Sequence, residues 1–148
     1  MSALILTFLR VSVAATFFGH GGIALFGGSA KWRNYLSVAG IKGQSTQSVL
    51  FFLIGALDVG IACLCLLSGT PVEVFSWACA WGVATAAMRP LAGEGVLEFV
   101  ERGGNFIPAS AIIVILSGSY GSVPSLLSIG NYEQAFAFIA KQLLPVSA

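Results

Sequence analysis

The residues best able to do chemistry fall in two sets. Segment 89–102 lies within MRPLAGEGVLEFVERGGNFIP and holds five charged residues in a chain that is only 9% charged: Arg89, Glu94, Glu98, Glu101 and Arg102. Arg10, His20 and Asp58 lie inside long apolar runs, where ionisable residues are costly and by default indicate function. Both sets are therefore candidates for a functional site.

Helical geometry predicts that members of the two sets lie close together. With a rise of about 1.5 Å per residue, His20 lies about 9 Å and Asp58 about 14 Å from the ends of their runs that face the charged loops. Arg89 closes a third run on the same side, so an antiparallel bundle could gather His20, Asp58, Arg89, Glu98 and Arg102 in one leaflet. Such a pocket offers cations for an anion or a quinone carbonyl, carboxylates to take a proton, and a histidine able to do either.

This arrangement predicts a role for each candidate. The residues predicted to bind the anionic or carbonyl group are Arg89, Arg102 and Asn105. The predicted catalytic residues, which handle protons, are His20 and Glu98. Arg10 lies in the opposite half of the first run, at a depth from which its long side chain could reach Asp58, so these two are predicted to form an intramembrane charge pair.

Each assignment has a structural alternative. Arg10 and Asp58 could simply neutralise one another. Glu98 and Arg102 have the i,i+4 spacing of a helix-surface pair worth a few tenths of a kcal/mol. Glu94 is expected to be solvated rather than functional.

No metal site is predicted. His20 has no partner at ligand spacing and could instead hydrogen-bond a neighbouring carbonyl. The three cysteines show neither a CxxC pair nor the paired spacing of a zinc site, and buried packing thiols are expected: Cys63, Cys65 and Cys79.

The elements that would position these residues are membrane helices. The chain of 148 residues is 57% hydrophobic, with a mean hydropathy of +0.91, and a span needs about 20 mostly apolar residues. We predict one all-α domain over residues 1–148, an integral membrane four-helix bundle with spans at about 3–26, 49–67, 72–88 and 106–127. A short interfacial helix is predicted at about 94–102 and an amphipathic C-terminal helix at about 132–144.

The segments that connect the predicted spans also allow predictions. Segment 27–48 mixes cations with aromatic residues and predicts a membrane-interface loop. Arg89-Pro90 is expected to break the third helix, and Gly103-Gly104 to close the short helix after it. The third run has small residues four apart, a spacing that lets helix backbones approach closely. The net charge of +1 is too small for a basic face, so nucleic acid is not a predicted partner.

Two motifs resemble the DoxX-like family of small bacterial membrane proteins. The first run has Arg10 followed by FFGHGG, and the second reads LIGALDVGIACLCLLSG with Asp58 in its middle. The similarity covers mainly residues 5–70, and the family's commonly observed residues match Arg10, His20, Gly21 and Asp58. The chain departs from the family in having Asp where Glu is more common and a Lys, Lys31, farther along than usual. Segment RPLAGEGVLEFVERGGN matches no general feature of the family.

The resemblance implies a function. Members similar to this group include the membrane subunit of a thiosulfate:quinone oxidoreductase, which implies electron transfer from a small sulfur anion to quinone. We therefore predict a protein of quinone-linked redox chemistry, acting alone or as a membrane subunit, without a covalent cofactor and located in a bacterial inner membrane. The alternatives are a non-catalytic accessory subunit of a larger membrane complex and a small proton-coupled transporter. The predicted partners are the lipid bilayer and either complex subunits or further copies of the chain.

Overall fold

A computed structural model describes residues 3–118, and every regular element within them is helical. Two long helices, α1 (Ala3–Leu25) and α3 (Gln44–Leu66), are joined through a short helix, α2 (Ala30–Val38). A third long helix follows, α4 (Val72–Leu91), then a short α5 (Val96–Glu101), a 3-10 helix (Arg102–Asn105) and α6 (Ile107–Leu116). The predicted C-terminal helix at 132–144 and the end of the predicted fourth span lie outside the described residues.

Glycine contacts fix the register between α1 and α3, which pack side by side. A Cβ atom added at Gly21 would lie 2.9 Å from the carbonyl oxygen of Gly55, and one added at Gly55 would lie 2.8 Å from the carbonyl oxygen of Gly21. Real Cβ atoms are not found at such distances, so only glycine at both positions permits this contact. The crossing places Asp58 level with Gly21, the residue that follows His20 in α1.

Four helices of the fold share one apolar core. The buried residues come from α1, α3, α4 and α6: Val13, Ala14, Phe17, Ala62, Cys65, Phe75, Ala78, Ala109 and Ile112. Cys65 is buried as predicted, and Cys79 lies partly buried with its sulfur 3.1 Å from the Ser110 hydroxyl. Cys63 is exposed on α3, contrary to prediction, because it points away from the face that carries Ala62 and Cys65.

The predicted interface loop contains a helix. Ser29 caps the N-terminus of α2 by accepting a hydrogen bond from the Trp32 backbone N–H at 3.2 Å, as short hydroxyl side chains commonly do. The preceding Gly27 and Gly28 adopt positive φ values, and this lets the chain reverse between α1 and α2. Gln47 of α3 then holds the end of α2, with Nε2 directed at the carbonyl oxygen of Ile41 at 2.7 Å and the Ser37 hydroxyl at 3.1 Å.

One expectation about the charged segment was wrong and another was confirmed. Helix α4 continues through Arg89 and Pro90 to Leu91. Proline lacks one hydrogen-bond donor, a loss that a helix tolerates close to its end. The short helix α5 ends at Glu101 with Arg102 as its C-cap, next to Gly103-Gly104 as predicted, and a 3-10 helix that includes both glycines leads into α6.

Within residues 3–118, two helices are long and apolar enough to cross a membrane, namely α1 and α3. Segments Val96–Asn105 and Ile107–Leu116, bent by 47° at their junction, meet the same criterion as a pair and could form a third, broken span. α4 has the length of a span, 20 residues, but it contains the charged residues Glu73 and Arg89 and is not among these candidates. The protein is therefore all-helical with at least two candidate membrane spans in the described region.

Candidate functional site

A cavity of about 180 Å³ lies where α1, α2, α3, α4 and the 3-10 helix meet. Its wall is mainly apolar, and its aromatic members are Trp32, Tyr35, Phe51 and Trp81. Its polar members are His20, Asp58, Thr85, Arg89, Arg102 and Asn105. Few polar groups set in an apolar concave wall are the usual composition of a small-molecule site.

The α1–α3 crossing and α2 together position His20. The His20 ring meets the Trp32 ring edge to face, with centroids 5.8 Å apart and planes inclined at 73°. Trp32 also lies 6.4 Å from the Phe51 ring of α3. Helix α2 therefore closes the cavity over His20 with an aromatic side chain.

Asp58 is the most deeply buried polar group of the cavity, with 3% of its surface exposed. The Trp81 side chain on α4 lies near its carboxyl group. Among the described residues, none hydrogen-bonds to its carboxyl oxygen Oδ1. A buried acceptor without a partner costs about 1–3 kcal/mol, and a ligand in the cavity that donated to this oxygen would remove that cost.

An ion-pair cluster borders the cavity between α2, α4 and α5. Arg89 is buried, and its guanidinium lies 2.9 Å from a carboxylate oxygen of Glu98 and 3.3 Å from one of Glu94. Glu94 also pairs with Lys31 at 3.0 Å and accepts a hydrogen bond from the Tyr35 hydroxyl at 2.5 Å. The cluster therefore links α2 to the far end of α4.

The cluster shifts the proton affinities of two groups outside the candidate spans. The hydrogen bond from Tyr35 is the largest cause that lowers the pKa of Glu94, and the nearby Lys31 and Arg89 act in the same direction. Burial, followed by the hydrogen bond to Glu94, raises the pKa of Tyr35 to about 12. At neutral pH a neutral phenol therefore donates to a charged carboxylate.

The 3-10 helix brings Arg102 and Asn105 to the cavity. A Cβ atom at Gly82 of α4 would lie 2.8 Å from the Asn105 carbonyl oxygen, so glycine there lets the 3-10 backbone rest directly on α4. Arg102 lines the cavity, and in the part of the chain that the structure describes its buried Nε has no hydrogen-bond acceptor. Among the described residues, Arg102 therefore has no carboxylate partner, whereas Arg89 has two.

The predicted charge pair between Arg10 and Asp58 is wrong. Arg10 donates to the carbonyl oxygen of Leu67 at 2.7 Å and lies over the Phe75 ring, 5.5 Å from its centroid. Because Asp58 is level with Gly21, and Arg10 is eleven residues earlier in α1, the two are separated by about 16 Å along the helix. The depth argument failed because the glycine contact, not apolar run length, sets the register.

Glu98 occupies a different place from the one predicted. It does not line the cavity, and it pairs with Arg89 rather than with Arg102 at i,i+4. Glu94 was expected to be solvated, but it contacts Lys31, Tyr35 and Arg89. The short loop after α4 explains both results, because it folds the two carboxylates back over the end of that helix.

The structure thus gathers five predicted residues in one cavity and leaves two outside it. Those in the wall are His20, Asp58, Arg89, Arg102 and Asn105, and those outside are Arg10 and Glu98. Sequence reasoning missed the aromatic wall, since each aromatic residue there is equally compatible with lipid contact or core packing. The segment around Trp32 and Tyr35 mixes charged and aromatic residues and was the signal that could have predicted this wall. It was interpreted instead as a membrane-interface loop.

Comparisons with protein-family models, with curated proteins and with solved structures gave no match. In the described region, no group of three or more His, Cys, Asp or Glu side chains could hold a metal ion. The geometry of the cavity is therefore the main guide to function.

Proposed function

We propose that the protein is an integral membrane protein that binds the head group of a quinone in this cavity and serves quinone-linked redox chemistry, alone or as a membrane subunit. The observation that carries the proposal is an aromatic wall beside the part-buried Arg102, whose Nε has no acceptor among residues 3–118. A quinone head group is a flat apolar ring with carbonyl acceptors, and it matches both features. The resemblance of the first two helices to the DoxX-like family supports the same class of chemistry.

In this proposal α4 and the bent pair cross the membrane together with α1 and α3, giving a four-span bundle in a bacterial inner membrane. The shared core of α1, α3, α4 and α6 supports the arrangement. α4 is 20 residues long, or about 30 Å, the thickness of the hydrocarbon layer. Its small residues suit a helix that contacts other helices more than lipid.

The cavity residues then have distinct tasks. Arg102 and Asn105 donate hydrogen bonds to a quinone carbonyl, and His20 supplies or takes a proton. Glu98 and Glu94 hold the Arg89 guanidinium in place, so of the two residues predicted to handle protons only His20 keeps that role. Reduction of a quinone to a quinol takes two electrons and two protons, and an electron donor outside this chain supplies the electrons.

The test is quinone binding to the purified full chain in mild detergent. Bound decylubiquinone is separated from free quinone and quantified by chromatography, with empty micelles as background. Arg102→Gln removes a charged donor, so we expect affinity to fall about tenfold or more. Arg10→Gln is the matched control, since Arg10 contacts the opposite end of α3.

The binding measurements on the two arginine variants distinguish whether the proposal is right or wrong. Saturable binding that weakens in Arg102→Gln and not in Arg10→Gln supports it. Absence of saturable binding, or equal loss in both variants, would contradict it. A thermal unfolding profile for each variant establishes that lost binding does not reflect lost fold.

A further inference from the structure

Two buried polar atoms of the cavity have opposite hydrogen-bonding needs. Oδ1 of Asp58 is an acceptor without a donor among the described residues, and Nε of Arg102 is a donor without an acceptor among them. Both residues line the same cavity. A ligand that satisfies both atoms must present a hydrogen-bond donor on one side and an acceptor on another.

We infer that the cavity holds the quinol form of its ligand more tightly than the quinone form, because the Asp58 carboxylate accepts a hydrogen bond from a quinol hydroxyl. This inference rests on the proposed function. It adds a specificity-determining residue, Asp58, and a preferred redox state of the bound ring. Arg102 meets the other ring oxygen, which is an acceptor in either form.

The chemistry of the two forms explains the preference. A quinone has only carbonyl acceptors, so placing one against Oδ1 of Asp58 would oppose two acceptors and leave the carboxylate unsatisfied. A quinol has O–H donors, and an O–H to carboxylate hydrogen bond is about twice as strong as a neutral one. Removing a buried, unsatisfied group on binding adds to the difference.

The described side chains around Asp58 leave its Oδ1 without a hydrogen-bond donor. Arg10, the expected neutralising partner, contacts Leu67 instead. Arg89 is engaged by Glu94 and Glu98. Trp81 lies near the Asp58 carboxyl group, while Oδ1 keeps its acceptor capacity.

The experiment compares two probes under anaerobic conditions. Dissociation constants for decylubiquinone and decylubiquinol are measured on the full chain in detergent by separation and quantification of the bound ring. We expect the quinol to bind about tenfold to a hundredfold more tightly, as a hydrogen bond to a charged group implies. A tenfold preference would raise the midpoint potential of the bound couple by about 30 mV relative to the free couple.

Variants identify the residue responsible. Asp58→Asn keeps the shape and removes the charge, so the quinol preference is expected to shrink at least severalfold. Glu73→Gln makes the same acid-to-amide change at an exposed position of α4 outside the cavity, and the ratio should remain that of the unmodified chain. Arg102→Gln should weaken both forms and leave their ratio nearly constant.

Each outcome decides between the two proposals. Equal affinities, or tighter quinone binding, would overturn the inference while leaving quinone binding intact. Tighter quinone binding would result if the Asp58 carboxyl group kept its proton and donated a hydrogen bond to a quinone carbonyl. A preference that Asp58→Asn leaves unchanged would also overturn it, and failure of both probes to bind would overturn the proposed function together with the inference.

Discussion

The contact between Gly21 and Gly55 makes a quantitative prediction. In Gly21→Ala the new methyl carbon would lie 2.9 Å from the Gly55 carbonyl oxygen and from Cγ2 of Val59. Val59 could rotate, but the backbone oxygen cannot move unless α3 shifts as a whole. Overpacking of this kind typically costs about 1–3 kcal/mol.

Gly22→Ala is the matched control. It lies next to Gly21 in the same helix, and a Cβ atom there meets nothing within 4 Å. Alanine favours a helix over glycine by about 0.5–1 kcal/mol, and this gain is common to both variants. The difference between the two variants therefore isolates the steric cost, so Gly21→Ala should have a free energy of unfolding about 1–3 kcal/mol below that of Gly22→Ala.

The assay is reversible denaturant unfolding in mild detergent, followed by circular dichroism on both variants and the unmodified chain. Gly21→Ala should also weaken ligand binding, because a shift of α3 moves Asp58 relative to the rest of the cavity wall. Equal unfolding free energies for the two variants would refute the proposed close crossing. Greater loss in Gly22→Ala would refute the register between α1 and α3.

Three further predictions concern other contacts. Glu94→Gln should lower the pKa of Tyr35 from about 12 toward its ordinary value of about 10, measured by absorbance at 295 nm as the difference from Tyr35→Phe. In the unmodified chain the unfolded state releases this proton first, so stability should fall as pH rises from about 10 to 12, and less so in Glu94→Gln. Gln47→Leu should speed hydrogen exchange in α2 about tenfold or more, because it removes the amide that contacts two carbonyl oxygens and a hydroxyl there. A double-mutant cycle of Arg10→Gln and Asp58→Asn should show a coupling below about 0.5 kcal/mol, as expected for residues that do not touch.

Each of these has an outcome that would contradict it. An unchanged pKa of Tyr35 in Glu94→Gln would show that the hydrogen bond between these two residues does not raise that pKa. Exchange in α2 that stays as slow in Gln47→Leu would show that other contacts hold this helix. A strong coupling between Arg10 and Asp58 would restore the charge pair that the α1–α3 register excludes.

The sequence by itself determined the helical class and the membrane character of the chain. The apolar runs are long, and their ends agree with the structure to within a few residues for α1, with Ala3–Leu25 against the predicted 3–26. Run length and composition suffice there because a membrane helix satisfies all its backbone hydrogen bonds within itself. Arg102 and Asn105 were also identified as candidates from composition alone, since so few polar residues are available.

Only the tertiary structure decided which polar groups meet. The missing side chain at Gly21 and Gly55 sets the depth of Asp58 relative to α1, and no local pattern reports a contact between two distant backbones. Likewise Glu94 and Glu98 turn toward Arg89 because a loop of four residues folds back over α4, and α2 lies over the cavity because Gln47 holds it there. Helix content follows from interactions close in sequence, whereas the cavity depends on contacts between residues that the chain brings together only by folding.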